Sequence, residues 1–187
     1  MTSIETKIVD IIHDNGTKYE KLSDILSLLV KTAKIDKKKY MIIGSYAIRK
    51  YREISDLDMN METHEWNKLT KLADKGLGKV EHYNNQMRYF LDMTNEYKKV
   101  DPEAKDFSIE IFQKEMGEGY PNNDFSMEAL IKSKGLSKDS NKHPFFSTKT
   151  LLAWKKTMNR EKDKKDIELL ETLVKRNRRT TRRRLKE

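Results

Sequence analysis

A Gly-Ser pair, Gly44-Ser45, is followed ten residues later by Asp56-Leu57-Asp58, and a third acid, Glu110, stands in a later run that alternates with apolar residues. Asp56 and Asp58 are i and i+2, so on an extended strand both carboxylates leave the same face. Two like charges that close repel each other and raise a pKa unless a cation sits between them. Mg²⁺ suits that place, with Mn²⁺ as a substitute: it is a hard ion that takes carboxylate oxygens, keeps several waters and accepts phosphate oxygens as further ligands. Glu110, on a neighbouring strand, could complete a second metal position or take the proton from an attacking hydroxyl. Gly44 lets the backbone approach a phosphate closely, Ser45 offers a hydroxyl, and the start of a helix after them presents free N–H groups to an anion. Arg49, Lys50 and Arg52 follow as candidates to neutralise a triphosphate. The combination is that of a divalent metal assembled beside a triphosphate.

Those residues need strands to hold them. Tyr40 to Ile43 reads as the first strand, a short helix runs from Gly44-Ser45 to about Glu53, and Leu57 to Met61 forms the second strand. Before them, Ile4, Ile8, Ile11 and Ile12 recur at helical spacing until Asn15-Gly16, and a second amphipathic helix covers roughly 18 to 34. Thr63 is placed to cap a helix presenting Trp66, Leu69 and Leu72 and closed by Gly76. Strand-like runs follow near 79 to 84 and 87 to 93, with Asn84-Asn85 as a hairpin turn between them. Residues 95 to 105 read as a loop, and Phe107 to Phe112 alternates as a strand with Glu110 opposite in face to Ile109 and Ile111. After Gly117 and Gly119 the pattern turns helical. Ser126 caps a segment ending at Gly135, a lysine-rich loop passes His143-Pro144, and two helices begin near Ser147 and Glu161. Central strands with helices at both ends predict an α/β or α+β domain with a mixed sheet and a C-terminal helical lobe. The expected divisions are N-terminal helices over 1–36, a catalytic core over 37–125, the helical lobe over 126–174 and a basic tail over 175–187.

Composition narrows the classes. Thirty-six percent of the 187 residues are hydrophobic and 37% are charged, which allows a modest core under a heavily solvated surface. There is no apolar stretch near the ~20 residues that cross a bilayer, and Met1-Thr-Ser-Ile-Glu-Thr-Lys lacks the layout of a secretory signal. With no cysteine there is no disulfide framework or thiolate metal site, and the four histidines show no zinc spacing. The expectation is a soluble, intracellular and cytoplasmic protein, or a nuclear one in a eukaryotic host. The net charge of +9 is uneven: residues 175–187 hold eight basic side chains against one acid. Such a cluster would attract nucleic-acid phosphates in a salt-dependent way, or simply solubilise the chain as a disordered or frayed end of the last helix.

Gly44-Ser45, the ten-residue interval, Asp56-Leu57-Asp58-Met59 and Glu110 together resemble the signature of the DNA polymerase beta-like nucleotidyltransferase superfamily, in its small, minimal form. The run from Leu151 to Ile167, with Lys155 on a helix before Arg160-Glu161-Lys162-Asp163-Lys164-Lys165-Asp166-Ile167, is similar to a segment of small members. The resemblance implies a nucleotidyltransferase-like mixed sheet and metal-dependent transfer of a nucleoside monophosphate from an NTP such as ATP to a hydroxyl, with release of pyrophosphate. By position, Asp56 and Asp58 would hold a two-ion site, Glu110 would be the third carboxylate and activate the acceptor, and Gly44, Ser45 and Lys155 would bind triphosphate. The acceptor expected first is an RNA or other nucleic-acid end, given the tail. The alternatives are a protein side chain or small molecule as acceptor, and a catalytically inactive nucleic-acid-binding module on the same fold.

Other residues keep two readings. Trp66 and Trp154 suit a core or a base-stacking platform, and Asp163 and Asp166 suit helix first-turn partners or ligands. Arg160 and Lys162 reach phosphate or stay solvated. His82 and Arg88 face substrate or water, and Tyr46 packs inside or lies under a base or ribose.

Overall fold

Two amphipathic helices open the chain because each has a side-chain cap and a continuous apolar stripe. In the computed structural model, which describes residues 3–83, 86–113 and 125–184 (without the side chains of Met127 and of residues 178–184), α1 spans Ile4–His13 and α2 spans Lys18–Thr32. The Ser3 hydroxyl accepts the Thr6 N–H at 3.2 Å. At α2, Thr17 and Glu20 form a reciprocal capping box, with the Glu20 carboxylate accepting the Thr17 N–H at 2.9 Å. Leu22, Ile25, Leu26 and Leu29 of α2 are fully buried.

The remaining elements are β1 (Tyr40–Ile42), a 3₁₀ turn (Gly44–Ile48), β2 (Asp56–Met61), α3 (Thr63–Ala73), β3 (Lys79–Tyr83), β4 (Gln86–Asp92), α4 (Thr94–Tyr97), β5 (Ser108–Gln113), α5 (Met127–Lys132), β6 (Leu136–Lys138), β7 (Pro144–Phe146), α6 (Thr148–Met158), a second 3₁₀ turn (Glu161–Asp163) and α7 (Lys164–Arg184). The strands form one mixed sheet in the order β3-β4-β5-β2-β1-β7-β6. β2 runs parallel to β5 and antiparallel to β1, while β7 runs parallel to β1. The α+β class with a mixed sheet is therefore observed, and no helix among the described residues is long and apolar enough to cross a membrane.

Side chains alternate between two cores across the sheet. Leu57, Met59, Ile109, Ile111, Tyr40 and Ile42 pack with α2 and α3 in one core, where the Trp66 indole N–H donates to the Ile111 carbonyl at 3.1 Å. Met41 points the other way and packs with Ile48, Phe146, Leu151, Leu170 and Leu173 in the second core. Asn60 is paired with Met41, so Asn60, Asp58 and Asp56 lie on the face of the second core.

Four expectations are corrected. The helix predicted from Ser45 to Glu53 is a single 3₁₀ turn ending at Ile48. Its segment joins two adjacent antiparallel strands and must return to where it began, whereas nine residues of α-helix would carry the chain about 13 Å away. The loop predicted over 95–105 begins inside α4, a one-turn helix in which the Asp92 carboxylate accepts the Thr94 N–H at 2.9 Å. The lysine-rich loop before His143-Pro144 contains β6 and forms a hairpin with β7, so the segment 126–174 extends the sheet as well as adding helices. Residues 176–184, expected as a disordered or frayed extension of the last helix, continue it as α7 to Arg184. Asn84-Asn85, Gly117 and Gly119 lie outside the described residues.

Candidate metal centre and adjoining cleft

Register brings the three acids together. β2 and β5 are parallel with Asp58 paired to Glu110 and Asp56 to Ser108, so all three carboxylates leave one face. One carboxylate oxygen from each of Asp56, Asp58 and Glu110 lies within 4.8 Å of the others, and all three residues are half-buried. Gly44 completes the corner. It holds φ at +65°, and a Cβ built on it would lie 3.0 Å from Oδ2 of Asp58. The Ile43 N–H donates to the Asp58 carbonyl at 2.8 Å, which locks the turn against β2.

The electrostatics show a shortage of positive charge. Burial, and then the Asp56 and Glu110 carboxylates, push the Asp58 carboxyl up to about 7, against the pull of Lys162 and Arg160. Among the described residues no side chain hydrogen-bonds to Asp56 or Asp58, and Glu110 has one partner, Arg88, whose Nη1 donates to Oε2 at 2.6 Å. An all-oxygen set of three carboxylates is the donor chemistry of Mg²⁺ or Mn²⁺, so the residues present fit such an ion.

A cleft of about 270 Å³ opens beside the acids. Gly44, Ser45, Asp56 and Asp58 border one side, and Trp154, Lys155, Arg160, Lys162, Asp163 and Asp166 border the other. Lys155, predicted as a triphosphate contact, is only 3% exposed and is clamped by two acids: its Nζ lies 2.5 Å from Asp163 Oδ1 and 3.0 Å from Asp166 Oδ2. Arg52 reaches Asp166 at 2.9 Å through Nε, and its Nη2 donates to the Ser45 hydroxyl at 2.7 Å. Arg160 donates to Asp163 Oδ2 at 2.6 Å and lies 5.1 Å from the Trp154 ring. Burial works to raise the Asp163 carboxyl, but the hydrogen bonds from Arg160 and Lys155 outweigh it and hold the group below the usual range. Asp163 and Asp166 thus serve as counter-ions to Lys155, Arg52 and Arg160. Lys162 is exposed and has no ion pair among the described residues. The chain matches no protein-family model, no curated protein and no solved structure.

Arg49 does not border this cleft. Its guanidinium lies 4.3 Å from the Tyr46 ring and 4.6 Å from the Phe145 ring, and it donates to the Tyr46 carbonyl at 3.0 Å. The short 3₁₀ turn rotates Arg49 back over its own base, and Arg52, beyond the turn, takes the place beside Ser45. Trp66 is in the core as one of its two readings held, whereas Trp154 is packed in the second core and also borders the cleft. Tyr46 packs inside and donates to Asp139 Oδ2 at 2.9 Å, and the same acid accepts from Ser23 at 2.7 Å and from the His143 N–H at 2.8 Å. This buried network holds the turn that carries Ser45. No local signal announces it, because Asp139 is 93 residues from Tyr46 and 116 from Ser23.

Proposed function

We propose that the protein is a metal-dependent nucleotidyltransferase that moves a nucleoside monophosphate from an NTP to a hydroxyl, with an RNA or other nucleic-acid end as the acceptor. The observation that carries this reading is the convergence of Asp56, Asp58 and Glu110 beside the Gly44-Ser45 turn, at a cleft bordered by both basic and acidic residues. The resemblance of these motifs to the DNA polymerase beta-like superfamily points the same way.

In the reaction, a bond forms between the acceptor oxygen and the α-phosphorus, the bond from that phosphorus to the bridging oxygen breaks, and pyrophosphate leaves. The hydroxyl proton passes to a carboxylate or to water. Asp56, Asp58 and Glu110 would hold the divalent ions, which when bound neutralise phosphate charge and polarise the α-phosphate. Glu110 keeps Oε1 for a ligand or for the proton of the acceptor. Ser45 offers its hydroxyl, and Gly44 leaves the space that a side chain would take. Lys162, with Arg52 and Arg160, faces the triphosphate, while Lys155 holds the two acids that keep Arg52 and Arg160 in place. Catalysis on this plan is positioning plus charge neutralisation.

The cleft border carries as many acids (Asp56, Asp58, Asp163, Asp166) as cations (Arg52, Lys155, Arg160, Lys162). A bare triphosphate gains no net attraction from such a border, so the nucleotide is bound as its metal chelate. The deciding experiment offers each labelled NTP, with Mg²⁺ or Mn²⁺, to pools of tRNA, DNA primer and total protein. The comparison is wild type against Asp56→Ala/Asp58→Ala. Label on RNA that disappears in the variant supports the reading; label on protein moves the acceptor to a side chain; no transfer to any pool discards the enzyme.

A further inference from the structure

Arg88 is the one basic side chain, among the described residues, in direct hydrogen-bond contact with the three-acid centre. It lies on β4, next to β5, where Phe90 is paired with Glu110 and Arg88 with Phe112, so Arg88 and Glu110 share a face on the diagonal. Its guanidinium is held on every side. Nη1 donates to Glu110 Oε2 at 2.6 Å, Nε donates to Glu81 Oε1 at 2.8 Å, and Nη2 contacts the same Glu81 oxygen. The rings of Tyr83 and Phe90 lie 4.1 Å and 4.5 Å from the guanidinium carbon. Only 12% of the side chain is exposed, and Glu81 is itself fixed by Lys79 at 2.7 Å.

An ion pair this enclosed is a poor source of net stability, because desolvation offsets its Coulomb gain. What it does determine is where a carboxylate points. Asp56 and Asp58 have short side chains whose direction follows from the strand. Glu110 is one methylene longer and has an extra rotatable bond, so the strand alone leaves its oxygens free to swing by more than a metal–oxygen bond tolerates. We propose that Arg88 is the positioning residue for Glu110: by holding Oε2 it fixes the carboxylate toward Asp56 and Asp58 and leaves Oε1 for the cation. This rests on the same metal-centre reading as the proposed function but not on nucleotide transfer.

The test is Mn²⁺ binding to the full chain, measured by calorimetry without nucleotide. The sign discriminates. Were Arg88 merely a nearby positive charge, Arg88→Met would remove repulsion and tighten Mn²⁺ binding. As a positioning residue its loss weakens binding by roughly ten-fold, the usual effect of removing a group that orients a metal ligand. Arg88→Lys, which keeps the charge but not the planar fork, also weakens it. In a Glu110→Gln background Arg88→Met has no further effect. Unchanged or tighter binding in Arg88→Met, or an equal loss in the Glu110→Gln background, overturns the proposal. If Arg88→Met does not fold, Glu81→Ala loosens the same guanidinium and gives a smaller loss in the same direction; unchanged affinity there overturns it too. A chain that transfers no nucleotide yet shows these Mn²⁺ losses keeps Arg88 in this role and discards the transferase. A chain that transfers nucleotide while Arg88→Met binds Mn²⁺ normally does the reverse, and a wild type that binds no Mn²⁺ without nucleotide overturns the Arg88 proposal while leaving the transferase to the labelled-NTP experiment.

Discussion

Oδ2 of Asp58 lies 3.0 Å from the point where Gly44 would carry a Cβ. The same glycine sits at φ +65°, where an L-residue loses about 1–2 kcal/mol. Gly44→Ala is therefore expected to lower the melting temperature by about 2–8 °C and to displace the Asp58 carboxylate. Thermal unfolding with and without Mg²⁺ separates the two effects: on the metal-centre reading the variant is expected to lose most of the stabilisation expected from Mg²⁺ in the wild type. A variant that melts lower but gains as much from Mg²⁺ would show that the close approach is incidental.

Asp58 sets an unusual pH dependence. Its carboxyl is pushed up to about 7 by burial and by two neighbouring acids, above an ordinary aspartate near about 3.9. The folded protein thus holds this proton more tightly than the unfolded chain. The associated stability is complete below about pH 4 and is lost as pH rises through about 7. Metal-free protein is expected to lose stability across that window, and Asp58→Asn, which keeps the shape without the charge, removes that part of the slope. On the metal-centre reading Mg²⁺ replaces the proton, so it is expected to raise the melting temperature more at pH 8 than at pH 5. Equal gains at both values would mean that the acids do not share an ion.

Two lysines of the cleft border differ in role. Lys155→Met leaves Asp163 and Asp166 enclosed without their shared counter-ion, and the expected loss is about 3–5 kcal/mol of stability, seen in denaturant unfolding. Lys162→Ala is expected to fold normally and, on the proposed function, to raise the KM for NTP by roughly ten-fold, the size of one charge-assisted contact. Initial-rate kinetics with an unchanged KM would remove Lys162 from the triphosphate site.

On the proposed function the C-terminal cations are expected to act on the acceptor and not on the nucleotide. Deleting residues 178–187 removes six of the eight basic side chains in 175–187. RNA affinity should fall, and the dependence of log K on log salt should become shallower by several units, while NTP binding is retained. Filter binding over a salt series checks both; an unaltered slope assigns these residues to solubility alone.

The acid centre was legible because period-2 alternation in Asp56–Met59 and around Glu110 specifies faces directly, and a parallel register then needs only to align two strands. Gly44 was legible because a Gly-Ser pair directly after an apolar strand marks a tight turn with close backbone approach. Arg49 departs from its expected place because strand connectivity leaves room for one 3₁₀ turn and not for a helix. β6 and β7 escaped notice since three-residue strands, one starting at a proline, carry too little pattern. The Asp139 network depends on partners brought together by tertiary packing, which no spacing rule reaches, whereas the clamp on Lys155 joins close neighbours in sequence across the turn after α6, where the helical period is broken and predicts no shared face.

Trp154 borders the cleft with the Arg160 guanidinium above its ring, while Trp66 is sealed beneath α3 against the Ile111 carbonyl. Since the chain has two tryptophans, the molecule carries a built-in optical pair. The emission of Trp154 is expected to respond to whatever draws Arg160 away, over a constant contribution from Trp66. Occupancy of the cleft can then be followed by fluorescence in the unlabelled protein, before any product is known.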